Sequence, residues 1–187
     1  MGLKESRIHS FVNQLHFSQW LAESTNAELY DSTVRAFPRT RYRQHATDSI
    51  KIVRLEWVPY LGVKTLFISS LAQNLHKGTE YRPMVLVKGV KYGNPGAGMV
   101  EIVASDNQPY AFERLTHAGN EVMVRCDCAD FRWRFNYYDW VDRSLYGNKR
   151  KKYEGKGGPP ANPLQMEGMC KHLIKLFTAL DHAGVIT

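Results

Sequence analysis

Every cysteine of the chain belongs to a closely spaced ligand pair: Cys126 and Cys128 stand two residues apart, and Cys170 is followed two residues later by His172. Thiolates and imidazole are donors for borderline and soft metal ions, and Cys₃His is a closed tetrahedral set for zinc. Side chains at i and i+2 of a strand share a face. Cys126-Asp127-Cys128 follows the strand-like Glu121 to Arg125, so two sulfurs can chelate one ion. Cys170-Lys171-His172 opens the last helical pattern, where free backbone N–H groups and the dipole favour thiolate over thiol. Lys171 and the helix N-terminus would offset the net negative charge of three thiolates around a dipositive ion. An iron–sulfur cluster is the chemical alternative, since three Cys and one His can also hold one. Treating the four as buried cysteines and a surface histidine leaves the paired spacing unexplained. His9, His16, His45, His76, His117 and His182 show no such spacing and read as surface or satisfied core groups.

Cys-x-Cys followed at a distance by Cys-x-His at a helix start resembles the SWIM-type zinc finger. The fuller pattern runs from Cys126-Asp-Cys128-Ala-Asp130-Phe131 through Pro159-Pro160-Ala-Asn162-Pro163 to Gly168-Met-Cys170-Lys171-His172-Leu173. It is similar to a segment of small tailed-bacteriophage proteins, in which an aromatic stretch and a Pro-Pro-x-Asn-Pro loop separate the ligand pairs. The likeness covers residues 126–177. It extends through weaker motifs over 44–128, from Gln44-His45-Ala46-Thr47 through Tyr81-Arg82-Pro83. SWIM fingers imply zinc, with DNA or protein binding as the role. The phage resemblance implies a virion component made in the host cytoplasm: a head–tail connector, tail or baseplate protein partnered with other virion proteins. The 41 residues between Cys128 and Cys170 exceed the usual SWIM gap. Metal ligation survives that difference, whereas the intervening surface is new and does not carry the DNA-binding role with it.

Three regions must position these ligands. Residues 1–47 form an N-terminal helical segment and a basic connector. Ile8, Phe11, Val12 and Leu15 give the helix its apolar period, and Arg35, Arg39, Arg41 and Arg43 surround Pro38. Residues 48–125 form a β-rich body. Val53, Leu55 and Trp57 alternate with polar residues, Thr65 to Ser69 follows, and Met84 to Tyr92 is set beside Met99 to Ala104 across a glycine-rich turn. Residues 126–187 form the metal-binding segment. Phe131, Phe135 and Tyr138 suggest a helix stopped at Gly147, although alternation from Phe131 to Tyr137 also suits a strand. Leu173, Leu176, Phe177 and Leu180 mark the buried face of the final helix. The expected class is α+β: an N-terminal helix, a central antiparallel sheet or small sandwich, and a metal-stapled C-terminal segment ending in a helix.

The 187 residues carry a net charge of +7 with pI near 9.3, which favours an acidic partner. No apolar run approaches the roughly 18–20 residues that span a bilayer, and no membrane role is expected. No paired catalytic carboxylates, nucleophile elbow or phosphate-binding loop is present, and a closed Cys₃His set offers substrate no open position. The reading is therefore non-enzymatic. A nucleic-acid-binding finger is the alternative to an assembly protein. Arg132, Arg134, Lys149, Arg150, Lys151 and Lys152 are the candidate contacts for nucleic acid or a partner protein.

Overall fold

The computed structural model describes residues 24–38, 45–154 and 160–187. The helix expected over 4–22, and Arg39, Arg41 and Arg43 of the connector, lie outside the described residues.

The first described helix, α1 (Asn26–Ala36), begins at a capping box. Thr25 Oγ1 accepts the Glu28 N–H at 3.3 Å, and the Glu28 carboxylate accepts the Thr25 N–H at 2.7 Å. Its buried positions are Asn26, Leu29, Ser32, Thr33 and Ala36. Small and polar residues dominate that face, so the sequence shows no clear apolar period there. Arg35, expected in the basic connector, belongs to the last turn of α1.

The β body holds two antiparallel sheets. One has five strands, β1 (Ile50–Tyr60), β2 (Thr65–Asn74), β4 (Met84–Lys88) and β8 (Val122–Arg125) in that order, with β3 (Glu80–Tyr81) also on β2. The other orders β5 (Tyr92–Gly93), β7 (Pro109–Glu113) and β6 (Met99–Val103). Met84 to Tyr92 was expected as one strand beside Met99 to Ala104. Instead Gly89, at φ +70°, turns the chain out of the first sheet after Lys88, and β6 pairs with β7.

Alternation sorts the side chains of the larger sheet. Leu66, Ile68, Val85, Val87, Val122 and Val124 enter the main core, where Leu173, Leu176, Phe177 and Leu180 meet them. Phe67, Leu86, Met123 and Tyr146 form a smaller cluster on the opposite face. β1 departs from its expected alternation. Its register on β2 shifts between Ile52 and Arg54, leaving Val53 half exposed while Ile52, Leu55 and Trp57 pack inward.

The aromatic segment is helical, not a strand. Phe131–Phe135 forms a π turn that runs into α2 (Asn136–Val141). The wider turn advances the register by one residue, so Asn136 and Asp139 face inward with Phe131 and Phe135. Tyr138, expected on that face, is half exposed. The helix ends at Val141, before the expected stop at Gly147. Arg143 takes φ +66°, and residues 144–146 then run beside β8, with Val124 N–H to Ser144 O at 2.7 Å and Tyr146 N–H to Val124 O at 3.0 Å. The last helix, α3 (Lys171–His182), lies against β1 and β2.

Candidate metal centre

β8 delivers the first ligand pair. The strand ends at Arg125, and its in–out alternation continues one step further: Cys126 and Cys128 are buried while Asp127 is exposed. Asp127 Oδ1 accepts the backbone N–H of Arg82 at 2.9 Å, tying this knuckle to the end of β3. The second pair comes from α3. Cys170 is its N-cap with extended backbone (φ −75°, ψ 163°) and makes no side-chain cap bond, so the sulfur is free to turn inward. His172 sits two residues further on. Burial of Leu173 and Leu176 fixes the rotation of the helix that aims it.

The sulfurs of Cys126, Cys128 and Cys170 and an imidazole nitrogen of His172 all lie within 4.8 Å of one another. The residues are 4%, 3%, 1% and 2% exposed, respectively. A tetrahedral ion with Zn–S bonds of about 2.3 Å sets its sulfurs about 3.8 Å apart, so the set stands close to closure around one ion.

Three observations show that the residues fit a metal ion. Both ring nitrogens of His172 are buried and meet no hydrogen-bond partner outside the cysteine cluster, whereas a buried imidazole ordinarily finds one. The Phe131 N–H donates to Cys128 Sγ at 3.3 Å, a contact that favours thiolate. The third is electrostatic. Burial pushes the Cys126 and Cys170 thiols well above their usual range, while those same two thiols, by hydrogen bonding, hold Cys128 far below it. Three sulfurs, none in a disulfide, crowded in an apolar site are poorly served by protons, and a cation relieves the crowding.

A surrounding network fixes the approach to Cys170. Gly168 N–H donates to Asp139 Oδ1 at 2.8 Å, and Met169 N–H donates to Thr33 Oγ1 at 2.7 Å. Asn162, 2% exposed, donates to the carbonyls of Arg134 at 3.1 Å and Met166 at 2.6 Å, pinning the proline loop to the π turn. The ring of Tyr81 covers His172 at a centroid distance of 4.4 Å. The sequence assigns Thr33 and Asp139 no role and marks Tyr81 only as part of the weaker upstream motif Tyr81-Arg82-Pro83. Tyr81 sits in a two-residue strand with no pattern to read, and Thr33 and Asp139 look like surface polar residues until their helices are placed.

The candidate contact residues do not all share one environment. Arg134 pairs with Asp130 at 3.1 Å and lies 5.3 Å over the Phe37 ring, half buried against the α1 side. Arg132, Lys149, Arg150, Lys151 and Lys152 are exposed. Compared with protein-family models, curated proteins and solved structures, the chain matches none.

Proposed function

We propose that the chain is a non-enzymatic structural protein whose C-terminal third is stapled by one zinc ion. In this reading it serves inside a larger particle, as a head–tail connector, tail or baseplate component of a tailed-bacteriophage virion. The observation that carries the proposal is the closure of the site: four protein donors converge within 4.8 Å and all four residues are buried. A four-donor shell leaves no position for substrate, whereas catalytic zinc keeps one open. Convergence on one point also favours a single ion over an iron–sulfur cluster, whose irons and sulfides hold their ligands apart. Zinc at such a site supplies folding energy to a segment interrupted by a long loop.

The particle assignment rests on the spacing of the two ligand pairs around the aromatic and Pro-Pro-x-Asn-Pro elements, and its partners are neighbouring particle proteins. No helix among the described residues is long and apolar enough to cross a membrane.

Metal analysis of protein purified without added metal tests the staple. One zinc per chain, colourless and lost in Cys170→Ala, supports it. Brown protein carrying iron replaces the ion with a cluster, and folded protein without metal ends the reading. Immunogold labelling of purified particles tests the assembly role. Label on the connector, tail or baseplate supports it, and recovery of the chain only as a free monomer rejects it.

A further inference from the structure

The segment between the two ligand pairs carries rings and cations that the metal centre does not use. Trp133, Trp140 and Tyr153 are 45%, 43% and 47% exposed. A lone exposed ring is ordinary. Here the rings come with cations. Lys149 Nζ lies 3.5 Å over Trp140, and the Arg132 guanidinium lies 5.8 Å from the centre of Trp133. Lys152 Nζ stands 6.0 Å from Tyr137 and 5.8 Å from Tyr138. Trp133 and Tyr153 approach each other at 5.3 Å and flank a groove of about 220 Å³ that Arg132, Tyr137 and Lys152 also line.

The charge of this face is left open. Its exposed cations include Arg132, Lys149, Arg150, Lys151 and Lys152, and the acids of residues 131–154 are Asp139, Asp142 and Glu154. Asp139 is buried, and Asp142 Oδ2 accepts the Ser24 hydroxyl at 2.6 Å. Among the described residues, no ion pair joins Arg132, Lys149, Arg150, Lys151 or Lys152 to a carboxylate. Glu154 is the one acid lining the groove.

We propose that this outer face, from Arg132 to Tyr153, docks single-stranded nucleic acid, with Trp133 and Tyr153 stacking on bases and Lys149, Lys151 and Lys152 meeting phosphates. The proposal is independent of the particle assignment. Alternating rings and cations match a polymer that presents a planar π face and a negative charge at every repeat. An acidic polypeptide supplies the charge without the planar faces. A duplex hides its bases in the stack and is read by a helix or ribbon entering its major groove. This face offers instead a π turn, a six-residue helix and the stretch up to Tyr153.

The test is fluorescence anisotropy of a labelled oligothymidylate titrated with the full chain, alongside its tryptophan emission. Binding at low salt should quench that emission. Replacing Lys149, Lys151 and Lys152 together by Gln should flatten the log–log salt slope by about two, since each phosphate contact on a single strand contributes about 0.7. Trp133→Ala and Tyr153→Ser should each weaken binding about fivefold or more, with metal content and circular dichroism unchanged. Absence of binding at low salt overturns the proposal. So does ring-variant affinity equal to wild type, since attraction is then charge alone. Tighter binding of a duplex overturns it, and displacement by polyglutamate as effective as by unlabelled oligothymidylate reassigns the face to an acidic protein partner.

Discussion

The hydroxyl of Thr33 accepts the backbone N–H of Met169 at 2.7 Å, joining residues 136 positions apart in sequence. The same hydroxyl donates to the Leu29 carbonyl at 2.7 Å, so its orientation is fixed by its own helix. Through this single side chain α1 holds the residue immediately before Cys170. α1 is thereby tied directly to the segment that carries Cys170.

The close approach that makes this bond leaves no room beside it. A methyl group at Gly168 would run into Thr33 Oγ1 and stand 3.0 Å from the Phe135 ring. Gly168→Ala is expected to cost about 1–3 kcal/mol of stability and to weaken metal retention, because it displaces the chain two residues before a ligand. Thr33→Ala in the same background removes the obstructing oxygen and should recover part of the loss. Urea unfolding of the two single variants and the double variant checks this. Strict additivity would show that the contact is not what makes glycine necessary.

Asn162 gives a second, independent hold. Its amide donates to two backbone carbonyls, those of Arg134 and Met166, from a position almost closed to water. Asn162→Ala leaves both acceptors without that donor, at an expected cost of about 1–3 kcal/mol. Hydrogen exchange should quicken over residues 160–170 while β2 and β4 keep their protection. Unchanged exchange in the loop would mean that its prolines alone hold it.

An ion bound at the cluster should act regionally. Removal by a chelator, or Cys128→Ala, is expected to open the π turn, the proline loop and the start of α3, since structural zinc contributes directly to folding. The larger sheet has its own apolar contacts on both faces and should persist. Because cysteine thiols and a protonated imidazole must shed protons to become ligands, metal retention should fall as pH is lowered. Hydrogen exchange with and without chelator reads both effects. Uniform loss of protection across the chain would make the ion a requirement of the whole fold.

How much of this was legible in the sequence follows from which interactions are local. The Cys₃His cluster was readable because metal coordination demands residue types at short spacing, and the first half of β2 was readable as a strand at Thr65 to Ser69, although burial on both faces leaves it no period of two. α1 was not, because its inward face relies on Ser32 and Thr33, whose burial makes sense only once Glu167 and Met169 arrive opposite them. The bulge at Val53 and the π turn at Phe131–Phe135 each insert one residue into a regular period, shifting every later side chain by one. β7 starts at a proline, and its partners β5 and β6 both precede it in sequence yet flank it in the sheet, so pairing rather than pattern defines it.

Asp139 gives a prediction whose sign can be worked out. Its carboxyl is buried, Oδ1 accepts the Gly168 N–H, and Oδ2 has no hydrogen-bond partner. Burial pushes its pKa well above the ordinary 3.8, with Asp142 and Glu167 adding like charge and the Gly168 N–H opposing the shift. The native state therefore keeps this proton to higher pH than the unfolded chain does. Stability from this group is fully present below the unfolded pKa and is lost as pH rises through the folded one. Asp139→Asn keeps an oxygen for Gly168 and has no proton to lose. Its stability relative to wild type should climb as pH rises from about 4, until the wild-type carboxyl is ionised in the native state. Urea unfolding of both proteins across a pH series reads the difference directly, and two parallel curves would show that Asp139 is ionised to the same extent in the folded and unfolded chains.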